Sequence, residues 1–170
     1  MRVLDLDVKY LLEGVLTSTP TKMFYEYLDE YEDEFKSIYL EVEIENKNIQ
    51  SEISSSLEMS IQSLEYNLPD NVHVACCQSC KYGNFNPFGD QENEIFCFKG
   101  LEIHSKEDVV NLVLGTNSEQ VDGFDILDRK RPLLHFCKDY EAILPNNEQY
   151  AYNDWVDGRS KNKTTLINES

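Results

Sequence analysis

Thiols are the groups in this chain whose type and spacing could do chemistry, and four of its five cysteines fall between His73 and Gly100. Cys77 and Cys80 form a C-x2-C pair, the short spacing from which a zinc site takes two of its four ligands. Cys97 and Cys137 stand alone at long separations; together, or with a histidine, they are the residues that could complete a tetrahedral set. Cys76 directly precedes Cys77. If both lie in one strand they point to opposite faces, so at most one of them joins such a site. A competing reading makes all of these small, buried, reduced thiols that pack as apolar groups. A third makes one of them a nucleophile activated by His73, His104 or His135, with His135 two residues from Cys137 on one strand face. Cys-His chemistry also needs an orienting group and an oxyanion site, and no motif for either is visible.

The second candidate is electrostatic. Residues 26–34 read EYLDEYEDE, six carboxylates in nine positions with large side chains between them. One reading is a solvated charge run. The other is a docking surface made of Tyr25, Glu26, Tyr27, Asp29, Glu30, Tyr31, Glu32, Asp33 and Glu34: carboxylates steer and pair with arginine or lysine, and tyrosines supply rigid amphipathic contact area. The run lacks the glycine and the ordered oxygen positions of a calcium loop.

Net charge bears on partners in the same direction. At −17, with a pI near 4.4, the chain is a poor match for nucleic acid, whose binding relies on lysine and arginine replacing counterions, and for anionic membrane surfaces. It favours basic protein surfaces instead. Residues 1–70 hold 16 of the 32 acids but 5 of the 15 bases, so the excess acid is concentrated early. Arg129, Lys130 and Arg131 form the one basic cluster, too small for a nucleic-acid footprint. No apolar stretch is long enough to span a bilayer and no secretory leader pattern is visible, so a cytoplasmic protein with reduced thiols and no disulfide framework is expected.

The elements that must position these groups are mostly strands. Val3 to Val8 alternates with charged residues as an edge strand, and Thr17 to Pro20 reads as a turn, which suggests a hairpin across Pro20. Leu40, Val42 and Ile44 alternate strictly with Glu41, Glu43 and Glu45, predicting a half-buried antiparallel strand that Asn46 to Asn48 ends. Ser51 to Leu68 carries apolar residues at helical spacing up to Pro69. Val72 to Cys77 and Glu94 to Phe98 read as strands, the second apolar on both faces and hence inside a sheet. Between them, Tyr82, Phe85 and Phe88 belong to a turn-rich loop that must be ordered, with Phe85 and Phe88 packed. Ser105 caps a helix ending at Gly115, with Asp108 in the reciprocal capping position. Phe124 to Leu127 and Leu133 to Tyr140 are further expected strands. Together these predict an α+β fold, mainly antiparallel sheet with two or three helices, as one domain over residues 1–156 with a polar tail at 157–170.

The cassette CCQSCKYGNFNPFGDQENEIFCFKG resembles one found in small uncharacterised bacterial proteins. In size, acidity and α+β pattern the whole chain is similar to immunity proteins of bacterial toxin systems, including contact-dependent growth inhibition. That resemblance implies a cytosolic, non-enzymatic inhibitor that binds a cognate toxin domain, often a basic nuclease, and covers its active site.

Overall fold

The computed structural model describes residues 1–32, 34–89, 93–116, 123–144 and 148–155. The expected tail at 157–170, the loop at 117–122 and Asp33 lie outside the described residues. The fold is α+β: the described residues form eight strands in two antiparallel sheets and two α-helices. Within the span expected to be one domain, contacts sort the described chain into two compact units that divide after Ala75. Among the described residues, no helix is long and apolar enough to cross a membrane.

The first unit is a five-stranded sheet carrying one helix. Strands β1 (Arg2–Leu12) and β2 (Val15–Tyr27) are joined by a two-residue turn at Glu13 and Gly14, with φ of +50° and +82°. This turn matches the right-handed twist of the strands it joins. The hairpin is therefore there and not across Pro20, which lies inside β2 opposite Asp7. In a two-residue hairpin closed by Leu12 and Val15, the Asp7–Pro20 pair exchanges no hydrogen bonds, so the proline nitrogen faces away from β1. The next strand, β3 (Phe35–Ile44), begins its pairing with β2 at Thr21 opposite Val42, so no ladder donor is lost at Pro20.

The alternation read from sequence holds in β3: Ile38, Leu40, Val42 and Ile44 are buried, and Glu43 and Glu45 are exposed. Its end is tighter than expected. Glu45 and Asn46, both at positive φ, make a two-residue turn into β4 (Lys47–Gln50), so two of the three predicted turn residues are in a strand. Helix α1 (Leu57–Asn67) starts six residues later than its periodicity suggests. The serines ahead of it bond to β3 instead. Ser51 Oγ accepts the Leu40 N–H at 2.8 Å, and Ser54 and Ile38 exchange backbone bonds of 2.7 and 3.0 Å, leaving Ile53 71% exposed. Leu57, Ile61 and Leu64 then bury the helix's apolar stripe, and β5 (Val72–Ala75) completes the sheet beside β1. The buried Glu65 carboxylate accepts the Val74 N–H at 2.7 Å and meets His73 Nδ1 at 2.8 Å, covering the outer edge of β5. Strand order is β4-β3-β2-β1-β5.

The second unit begins with a 3-10 turn at Cys77–Ser79, so the expected strand Val72 to Cys77 stops at Ala75. Its sheet has β7 (Glu94–Cys97) between β6 (Gly83–Asn84) and β8 (Lys130–Pro132). A central position explains why both faces of β7 are apolar: Ile95 and Phe96 are both buried. Phe96 and Phe98 form a core with Ile103, Val109 and Leu112. The last two come from α2 (Lys106–Leu114), capped as its sequence predicts: Ser105 Oγ accepts the Asp108 N–H, Asp108 Oδ2 accepts the Ser105 N–H, and Gly115 ends the helix. Two strand expectations fail. Phe124 to Leu127 runs into a 3-10 turn at Ile126–Arg129, and Leu133 to Tyr140 is irregular after a turn at Leu133, its carbonyls serving the Cys77–Ser79 turn.

Candidate functional site

Residues 28–32 and Glu34, between β2 and β3, form the acidic tip. The Leu28 N–H donates to the Glu34 carbonyl at 2.8 Å, and the Asp29 carboxylate accepts the Tyr31 N–H at 3.0 Å. Beneath the tip, Tyr25, Tyr27 and Phe35 interlock with centroids 5.1 to 5.9 Å apart, and the Arg2 guanidinium sits 5.4 Å over the Tyr27 ring. Of the five carboxylates of the run that are described, two have a cation within the unit. Glu32 pairs with Arg2 and holds the guanidinium above its usual pKa. Glu26 meets Lys36 at 3.1 Å, whose hydrogen bond pulls the carboxyl below the usual range. Asp29, Glu30 and Glu34 are exposed without a paired cation among the described residues. Tyr31 is 74% exposed and Leu28 59%. The tyrosines thus divide: Tyr25 and Tyr27 are half-buried and support the tip, and Tyr31 is presented on it.

The thiols gather in the second unit. The Cys80 N–H donates to the Cys77 carbonyl at 3.3 Å, and the Gly83 N–H to the Cys80 carbonyl at 2.9 Å, so the C-x2-C pair lies on a tight double turn. Gly83 is required there, because a Cβ would stand 2.2 Å from the Cys77 oxygen. Gly83 lies opposite Cys97 in the β6–β7 pairing. The Cys77 N–H donates to the His135 carbonyl at 2.8 Å, bringing the segment that carries Cys137 against the same turn. Burial pushes the Cys77 thiol far up, and Cys76, Cys80, Cys97 and Cys137, all near it, add to the shift. Burial also raises the Cys80 thiol, an effect that the backbone of Glu141 and Tyr82 opposes.

None of the five cysteines is in a disulfide. Among the described residues, no three His, Cys, Asp or Glu side chains already stand as a metal ion would hold them. The shifts at Cys77 and Cys80 run away from the thiolate that a nucleophile needs. The strand face on which His135 and Cys137 were to meet does not exist; His135 contacts Cys77 through its backbone carbonyl.

Strand β6 and the turn before it are held by polar side chains that periodicity does not reveal. Asn84, fully buried, accepts the Tyr152 N–H at 2.6 Å and donates to the Tyr82 carbonyl at 3.1 Å, and Asn153 donates to the Gln78 and Gly83 carbonyls. The signal was the run of asparagines among turn-formers. Phe85 is half-buried. Phe88, expected to pack, is 60% exposed, because the Asn86 side chain accepts the Phe88 N–H in a turn that presents the ring outward.

No protein-family model matches this sequence, and no curated protein matches it significantly.

Proposed function

We propose that the chain is an acidic protein-binding module, an immunity-type inhibitor that acts in the cytoplasm by covering a basic toxin domain such as a nuclease, without catalysis of its own. The observation that carries this reading is the hairpin tip. Among the described residues, Asp29, Glu30 and Glu34 have no paired cation, while Tyr31 and Leu28 are held in water above a braced aromatic base. A solvated charge run has no need of an exposed tyrosine and leucine at its centre; a docking tip uses both, the acids for steering and the large side chains for contact. Nucleic acid and anionic membranes do not fit the same surface, because like charge repels them. The binding reading needs no cofactor.

The test is association with any toxin domain found encoded beside the gene. The rate should fall more than about tenfold between low and physiological salt. Neutralising Asp29, Glu30 and Glu34 together as amides should slow association at low salt. An unchanged rate removes the tip from the interface, and failure to protect cells from that toxin removes the immunity reading.

A further inference from the structure

We infer that the open edge of β1, from Val3 to Asp7, docks an extended segment of a protein partner that carries lysine or arginine at alternate positions and joins the five-stranded sheet as a further strand. The register leaves this edge bare. β5 pairs with β1 only over Lys9 to Leu12, and no other described strand lies on that side of β1. Counting back from the closing pair Leu12–Val15, the even-numbered residues of β1 exchange hydrogen bonds with β2, so the N–H and carbonyl groups of Val3, Asp5 and Asp7 point to the open side. Nearer the turn the odd-numbered residues face the same way and are used: the Glu13 N–H donates to the Asn71 carbonyl at 2.8 Å, and Lys9 and Leu11 lie opposite Ala75 and His73 of β5. Among the described residues, no hydrogen bond reaches the backbone of Val3, Asp5 or Asp7.

Elsewhere the sheet blunts its edges, as proteins ordinarily do. Pro20 removes a donor from β2 where that strand runs on beyond β3, the buried Glu65 carboxylate takes the Val74 N–H at the outer edge of β5, and β4 is only four residues long. The β1 edge has no such device and presents Val3 at 53% and Leu4 at 43% exposure. Its two faces specify what fits. Leu4 and Leu6 share the face of the buried Val8 and Tyr10, and Asp5 and Asp7 are exposed on the other. Asp5 stands opposite Lys22 in β2 with no ion pair among the described residues; Asp7 accepts from Ser18 and has Lys9 at 3.6 Å, yet 70% of its side chain is exposed. An added strand sets one row of side chains beside Leu4 and Leu6 and the other beside Asp5 and Asp7, so apolar residues suit the first row and lysine or arginine the second. A second copy fits poorly. Two β1 edges paired antiparallel about their middle bring the aspartates of one copy opposite or diagonal to those of the other, and each chain carries −17. The edge begins beside the acidic tip, where Arg2 pairs with Glu32; docking at β1 does not depend on what the tip binds, and its test uses no toxin.

The experiment follows amide hydrogen exchange by NMR in the full chain, with the capped peptide Lys-Val-Lys-Thr-Lys-Val-Lys as probe. In the chain alone, the Val3, Asp5 and Asp7 amides should exchange faster than those of Leu4, Leu6 and Val8, which β2 holds. Peptide at about ten times its dissociation constant should slow the first three about tenfold and leave the amides of residues 28–32 unchanged. In a strand added antiparallel, as all the strands of this sheet pair, the residues that exchange bonds with Asp5 and Asp7 stand opposite them. N-methylation of the peptide's lysines should therefore abolish binding. Asp5→Pro removes one outward donor and blocks close approach, and should weaken binding at least about tenfold; like Pro20, it breaks no bond between β1 and β2. Should that variant fail to fold, Asp5→Asn combined with Asp7→Asn should weaken binding at low salt and leave it unchanged at high salt. Equal binding of the N-methylated peptide, or slowed exchange at residues 28–32 and not at β1, overturns the inference. Protection of Val3, Asp5 and Asp7 in the chain alone overturns it as well: the occupant is a second copy if protection grows with protein concentration, and a segment of the chain itself if it does not.

Discussion

Gly83→Ala probes the double turn, because among the described glycines it is the one whose added methyl group would meet other atoms closely. The added Cβ would stand 2.2 Å from the Cys77 carbonyl oxygen and 3.2 Å from that of Cys80. Reaching an ordinary contact of 3.4 Å requires the first carbonyl to withdraw by about 1.2 Å, and both atoms are backbone, so no side-chain rotation relieves the overlap. Withdrawal breaks the bonds Cys80 N–H to Cys77 O and Gly83 N–H to Cys80 O, each worth about 1 kcal/mol, and overpacking adds about 1–3 kcal/mol. The sum, about 3–5 kcal/mol, corresponds to a fall in melting temperature of roughly 6–20 °C for a chain of this size. Gly14→Ala is the comparison. Its φ is +82° with nothing within 4 Å of the new methyl, so only the left-handed conformation is penalised, by about 1–2 kcal/mol. Reaction of the native thiols with a disulfide reagent is a second readout for both variants, since Cys77 and Cys80 are buried. Gly83→Ala should label faster than wild type. Melting within about 2 °C of Gly14→Ala, together with wild-type labelling, would refute the close approach.

Two further outcomes follow from the same structure. Ser51→Ala removes the oxygen that takes the buried Leu40 N–H and should cost about 1–3 kcal/mol in denaturant unfolding, whereas the neighbouring exposed Ser55→Ala should change stability by less than about 0.5 kcal/mol. Burial makes the folded Cys77 thiol titrate above its unfolded value. Its contribution is therefore fully present below about pH 8.5 and is lost as pH rises toward the folded value. The urea midpoint should fall more steeply above that pH in wild type than in Cys77→Ala, and parallel curves would contradict the assignment.

Much of the fold was legible because it rests on short-range rules. The Leu40–Val42–Ile44 alternation specifies which face of β3 is buried, since successive side chains in a strand point oppositely whatever the partner. Ser105, Asp108 and Gly115 mark α2 because capping is satisfied within a few residues. Apolar residues on both faces of β7 called for a central strand, and β7 is central. The acidic run and the C-x2-C spacing were equally visible as candidate chemistry.

What only the tertiary structure decided involves competition for backbone groups between distant segments. The serines ahead of α1 have helical neighbours in sequence, but β3 offers them strand-like partners at Ile38 and Leu40, and that pairing delays the helix. The Leu133 to Tyr140 run has strand composition, yet its carbonyls are claimed by Cys77 and Gln78, more than fifty residues earlier in the chain. The same long-range bonding brings Cys137 toward Cys77, a proximity that no spacing rule contains. Likewise, which carboxylates of the acidic run remain without cations depends on where β1 and β3 place Arg2 and Lys36. Local sequence determined the elements and the supply of charge and thiols; pairing across the chain determined which of those groups meet, because a hydrogen bond or a Coulomb interaction depends on distance in space and not along the chain.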